Sequence, residues 1–80
     1  MAMGSNDKFL RAIGNCLKEL RIKKGYTSYE NFALDNDIDR KQYWCLESGN
    51  NFTLNSLYKI LQIHKIKPSD FFKEVEKKIQ

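Results

Sequence analysis

Chain-breaking residues fall at short intervals in this sequence and leave room only for small helices between them. Gly25, the pair Asn36 and Asp37, Gly49 and Pro68 are the breaks. Between them apolar residues recur at spacings of three and four, and no stretch alternates apolar and polar as a strand would. This pattern predicts an all-α fold of five helices with short connections.

The first helix is expected over about residues 7–24, with Ser5, Asn6 and Asp7 as candidate N-caps. Its apolar stripe is Leu10, Ile13, Leu17 and Leu20. Gly14 sits within it at a cost of about 1 kcal/mol relative to alanine, which close packing against a neighbouring helix would explain. The second helix starts at Thr27 or Ser28 and runs to about Asp35, with Phe32 and Ala33 inward. The third is capped by Asp39 and closed by Gly49, with Tyr43 and Leu46 inward. The fourth is capped by Thr53 and is expected to bury Leu54, Leu57, Ile60 and Leu61. The fifth is expected to be capped by Ser69 just after Pro68, and carries Phe71, Phe72, Val75 and Ile79. Phe32, Ile38, Leu46, Leu57, Ile60, Ile66 and Phe71 should form the core. Residues 1–6 read as a disordered or vector-derived lead, 7–80 as one domain, and 74–80 as its helical tail.

Eighty residues with 30% charged side chains describe a small folded chain rather than a disordered one. No apolar run approaches the roughly 18 residues of a membrane span, and the start has no apolar signal core. The two cysteines, Cys16 and Cys45, have no metal-ligand spacing, so free thiols in a reducing cytoplasm are expected. The net charge is +4 and the isoelectric point about 9.1, an excess that permits nucleic-acid binding without establishing it. Lys18, Arg21, Lys23 and Lys24 cluster late in the first helix, and Arg40 and Lys41 open the third. The plain alternative for each lysine is a solvated face.

Residues 29–49, YENFALDNDIDRKQYWCLESG, have the layout of a helix-turn-helix, which lays its second helix in the DNA major groove. With the rest of the chain they resemble the Cro and phage-repressor type of helix-turn-helix, also called the xenobiotic-response-element type. The resemblance covers about residues 13–73. It rests on IGNCLKELRIKKG, on Ala33 in the second helix, on LESG closing the third, on SLYKILQIHKI and on PSDFF. GYTSYENFA and RKQYW further resemble a branch common in Bacteroides-type bacteria. The chain departs from the family at Asp37, where glycine is usual, at Asn36, often apolar, and at Trp44 and Cys45, often small, polar or basic. One residue is inserted between Gly25 and Ala33. The resemblance implies a compact five-helix, lambda-repressor-like DNA-binding domain.

A recognition helix reads bases from its first turn and the turn after it, here Arg40, Lys41, Trp44 and Cys45. The resemblance puts Arg40, Lys41 and Cys45 at base-facing positions. Arg40 can fork onto a guanine; its alternative is a surface pair with Asp37 or Asp39. Trp44 either meets a thymine methyl or sugar edge, or fills space beside Tyr43. Cys45 either touches a methyl or serves as a redox switch. Gln42 is placed on the flank to reach the phosphate backbone. Ser28 and Tyr29 match one phosphate site of the family, Ser48, Asn50 and Asn51 the other, with turn chemistry the alternative for the asparagines. Arg21 and Glu47 match an arginine–glutamate pair that fixes the recognition helix. Phe72, Val75 and Ile79 form a stripe suited to a homodimer, which would set two recognition helices about 34 Å apart on an inverted repeat of double-stranded DNA.

His64, the lone histidine, has no ligand at metal spacing and is read as a surface or helix-end residue. No cofactor motif, phosphate loop or catalytic constellation is present, so an enzyme is not expected. The leading function is a small bacterial transcriptional regulator. The competing one is a protein-interaction module of the same fold, of the antitoxin or anti-repressor kind.

Overall fold

The computed structural model describes the backbone of residues 2–50 and 52–79, and side chains from Lys8 onward. Among these residues lie five helices and no strand: α1 Ala2–Lys23, α2 Tyr29–Asp35, α3 Arg40–Glu47, α4 Leu54–Ile63 and α5 Pro68–Ile79. Helix α1 begins before the expected start. Residues 2–6, read as a disordered lead, are helical, and Ser5, Asn6 and Asp7 lie inside the helix instead of capping it. Ser69 likewise falls inside α5. Pro68 is the first residue of that helix, where its missing N–H and fixed φ cost nothing.

The other three starts are side-chain caps. Ser28 accepts from the N–H of Asn31, Asp39 from that of Gln42, and Thr53 from that of Ser56, at 3.3, 3.0 and 3.1 Å. The ends of α1 to α4 share one device. A residue with positive φ follows the last turn, and the next N–H reaches back five residues to a helix carbonyl, as in a Schellman cap. Gly25 (φ 103°) and Gly49 (φ 87°) hold two of these positions, but Asp37 (φ 57°) and Lys65 (φ 55°) hold the others. The closing bonds are Tyr26 to Arg21 O, Ile38 to Ala33 O, Asn50 to Cys45 O and Ile66 to Leu61 O. The helix-turn-helix bend at Asp37 is therefore an ordinary helix cap built on an unusual residue. The Asn36 amide adds a bond to Phe32 O at 2.8 Å.

The caps aim all five helices at one core. Ile13 and Leu17 of α1, Phe32, Tyr43, Leu46, Leu57, Ile60, Leu61, Phe71 and Val75 are almost wholly buried. Ile38 and Ile66, expected in the core, only border it. Leu54, also expected inside, is 76% exposed, because α4 is apolar over a wider arc than its neighbours cover. His64 is half-buried and stands at a helix end, one of its two expected places. It caps α4 with its ring stacked on Phe32, centroids 5.3 Å apart and planes 5° from parallel. Burial, and then Lys24, hold its pKa below the ordinary value.

The stripe on α5 turns inward against α1. Val75 is fully buried and cannot meet a second copy; Phe72 and Ile79 are half-buried. Phe72 stacks with Phe9 of α1, and Lys78 bonds Glu19 at 2.6 Å.

Candidate nucleic-acid interface

Helix α3 is held from within by three contacts. Tyr43 and Leu46 enter the core. Gly14 of α1 lies against the end of the helix so closely that an added Cβ would sit 2.8 Å from the Glu47 carbonyl carbon and closer still to its oxygen. The Arg21 guanidinium then grips the Glu47 carboxylate with two bonds, Nε to Oε2 at 2.7 Å and Nη2 to Oε1 at 3.2 Å. Its third nitrogen donates to the carbonyl of Tyr26, 2.9 Å away, and so also closes the end of α1. The Tyr43 hydroxyl is buried beside this pair without a hydrogen bond to the described residues, and its pKa is pushed up by burial first and Glu47 next.

With that face fixed, Arg40, Lys41, Trp44 and Cys45 share the opposite one by helical spacing. Arg40, Lys41 and Trp44 are exposed and Cys45 is half-buried. Arg40 is paired neither with Asp37 nor with Asp39. It bonds Glu30, in the first turn of α2, at 3.1 Å, with both side chains more than half exposed. Trp44 is partly covered, and the ring it meets is that of Tyr29. Its indole lies against Tyr29, centroids 4.8 Å apart, and stays 47% exposed. The first turn of α2 thus touches two of the four candidate base readers.

The expected phosphate contacts are in mixed positions. Ser28 caps α2 and Tyr29 braces Trp44. Gln42 donates to Ser56 Oγ at 2.8 Å and ties α3 to the first turn of α4. Ser48 donates to Cys45 O, and the Asn50 amide donates to Ser48, so these two form a local turn network beside Gly49. Asn51 lies outside the described residues.

Glu30, Ser56 and Tyr26 escaped the sequence reading. Tyr26 packs edge-on against Phe32 and donates to Asp35 at 2.8 Å. The partners Glu30–Arg40 and Gln42–Ser56 are 10 and 14 positions apart, beyond the reach of helical periodicity. Both cysteines are free thiols, and burial pushes that of Cys16 up. No cluster of metal-ligating side chains occurs among the described residues, and none of their helices is long and apolar enough to cross a membrane.

Among known proteins the chain is similar to Control protein C.MunI of Mycoplasma sp, with 41% identity over 73 residues, 90% of this chain and 97% of the relative. The chain belongs to the control-protein family. It shares with that family a repressor-like helix-turn-helix, and the Mycoplasma origin of the relative lends no support to a Bacteroides-type branch. No family model and no solved structure matches it. The α3 face carries Arg40, Lys41 and Trp44, all exposed, beside the helix-turn-helix bend.

Proposed function

We propose that this control protein is a transcriptional regulator that binds double-stranded DNA sequence-specifically with α3 in the major groove. By its kinship the genes it regulates would be those of a restriction–modification unit. The observation that carries the reading is the two-sided build of α3. Its inner face is locked by Gly14, Tyr43 and the Arg21–Glu47 pair, while two cations and an aromatic ring stand outward from the same short helix. Such a helix is presented, not packed, and its side chains are of the types that read base edges. The role is non-catalytic, needs no cofactor and is exercised in the cytoplasm.

One copy offers one short recognition helix, so an inverted repeat bound by a homodimer is the fitting target. Val75 being buried, the dimer surface proposed is the flank of α4 and the start of α5. There Leu54, Tyr58, Pro68 and Phe72 line an apolar hollow of about 270 Å³ together with Leu57 and Leu61.

Selection of random duplexes by the purified chain at near-physiological salt tests the function. Enrichment of an inverted repeat, with affinity falling on a log–log salt slope of about −0.9 per phosphate neutralised, is expected. Absence of any enriched sequence would replace this reading with the protein-interaction module. A monomeric mass with and without the selected duplex would overturn the dimer.

A further inference from the structure

The readers on α3 differ in what they offer a base pair. Arg40 and Lys41 carry donors and charge. Trp44 carries a broad apolar plane with a single N–H and no acceptor, so it cannot fork onto a base edge. It is nearly half exposed, although its area would be better hidden in a chain this small. Nor is it loose. Tyr29, which packs against the core, lies beside the indole at 4.8 Å with the rings inclined by 33°. The ring is fixed before any ligand arrives, so little ordering cost is left for binding. Next to it along α3, the half-buried Cys45 adds a small, weakly polar group.

In the major groove every base edge displays hydrogen-bonding groups, and thymine alone adds an apolar one, its C5-methyl. We infer that Trp44, braced by Tyr29, is a specificity-determining residue that reads the methyl group of one thymine in each half-site. This rests on the DNA-binding reading and adds to it the chemical group recognised.

The test uses the selected duplex with each thymine replaced in turn by deoxyuridine, which removes the methyl and nothing else. Affinities are measured for the native chain, Trp44→Ala and Trp44→Phe, with circular dichroism to verify folding. At one thymine per half-site the native chain should lose about fourfold, the worth of one buried methyl. Trp44→Ala should bind the thymine and deoxyuridine duplexes equally, and Trp44→Phe should keep part of the difference. If no thymine responds, or if the response persists in Trp44→Ala, the inference is overturned while DNA binding stands. If no duplex is selected at all, both fall together.

Discussion

The Arg21 guanidinium holds the Glu47 carboxylate in two parallel bonds across 26 positions of sequence, with both side chains almost sealed from solvent. A fork-to-carboxylate pair fixes orientation as well as distance. It sets the end of α3 relative to α1, and through the third Arg21 bond it also closes the turn at Tyr26. Removing one partner leaves the other charge buried and alone, a loss of about 3–5 kcal/mol. Arg21→Ala should therefore show a large drop in the urea midpoint. Arg21→Lys, which keeps charge but not the fork, should fall between. The double variant Arg21→Met with Glu47→Leu should be much less destabilised than either single truncation.

Gly14→Ala isolates the backbone contact beneath that pair. In an open helix the change would gain about 1 kcal/mol of propensity. Here the new Cβ would press on the carbonyl of Glu47, backbone that cannot swing aside as a side-chain tip would. Overpacking of this kind costs about 1–3 kcal/mol, so the net sign is a loss. Equilibrium unfolding of the single variant decides it; a stabilised Gly14→Ala would mean that α3 can slide along α1 freely.

Asp37 and Lys65 occupy cap positions that favour glycine. The left-handed conformation strains most side chains by roughly 1–2 kcal/mol, less for aspartate, and glycine returns part of the gain as chain entropy. Lys65→Gly should raise stability by about 1 kcal/mol and Asp37→Gly by less, each with the fold unchanged. A valine at either site should destabilise. Thermal melts of the four variants give the order directly.

These positions also mark how far the sequence could be read. Gly25 and Gly49 announce their caps by residue type. Asn36 and Asp37 announce a turn because short polar side chains tolerate positive φ, but Lys65 carries no such signal. Ser28, Asp39 and Thr53 were legible as N-caps, since a cap is a local bond to an N–H two or three residues on. The start of α1 was not legible, because three good capping residues in succession suggested a boundary that the helix runs through. The facing partners of α3 split in the same way. Arg21 with Glu47 was expected only through the family resemblance, whereas Glu30 with Arg40 and Tyr29 with Trp44 depend on how α2 crosses α3, which no periodicity encodes. The α5 stripe misled because a helix packed on α1 and one that pairs with a second copy have the same apolar spacing.

His64 should make stability fall in mild acid. In the unfolded chain an imidazole takes up its proton near pH 6.5, while burial against Phe32 and the nearby Lys24 delay protonation in the folded state. Between the two pKa values the unfolded state binds more protons, so stability rises with pH there. The penalty is absent above the unfolded value, grows as pH drops below it and levels off only beneath the folded value. Melting temperatures of the native chain and His64→Gln should run closer together as pH falls from about 7.5 to 5.5, because the variant lacks this term while both share the carboxylates. A constant gap across that range would show that the ring protonates as easily folded as unfolded.

On the proposed DNA-binding reading, Glu30 and a base would compete for Arg40. In the free protein the two side chains bond at 3.1 Å, but both are more than half exposed, so the pair adds only about 0–1 kcal/mol to stability. On duplex DNA the same carboxylate would stand near incoming phosphates and repel them. Glu30→Gln should therefore leave the melting temperature nearly unchanged. It should raise affinity for selected and scrambled duplexes alike and steepen the salt slope by about one phosphate equivalent. Arg40→Ala should act differently. It should lose about 1–3 kcal/mol on the selected duplex through the missing base contact, and much less on a scrambled one. Side-by-side titrations of the two variants on both duplexes separate charge from readout. Equal losses on both duplexes for Arg40→Ala would assign Arg40 to the phosphate backbone instead of a base.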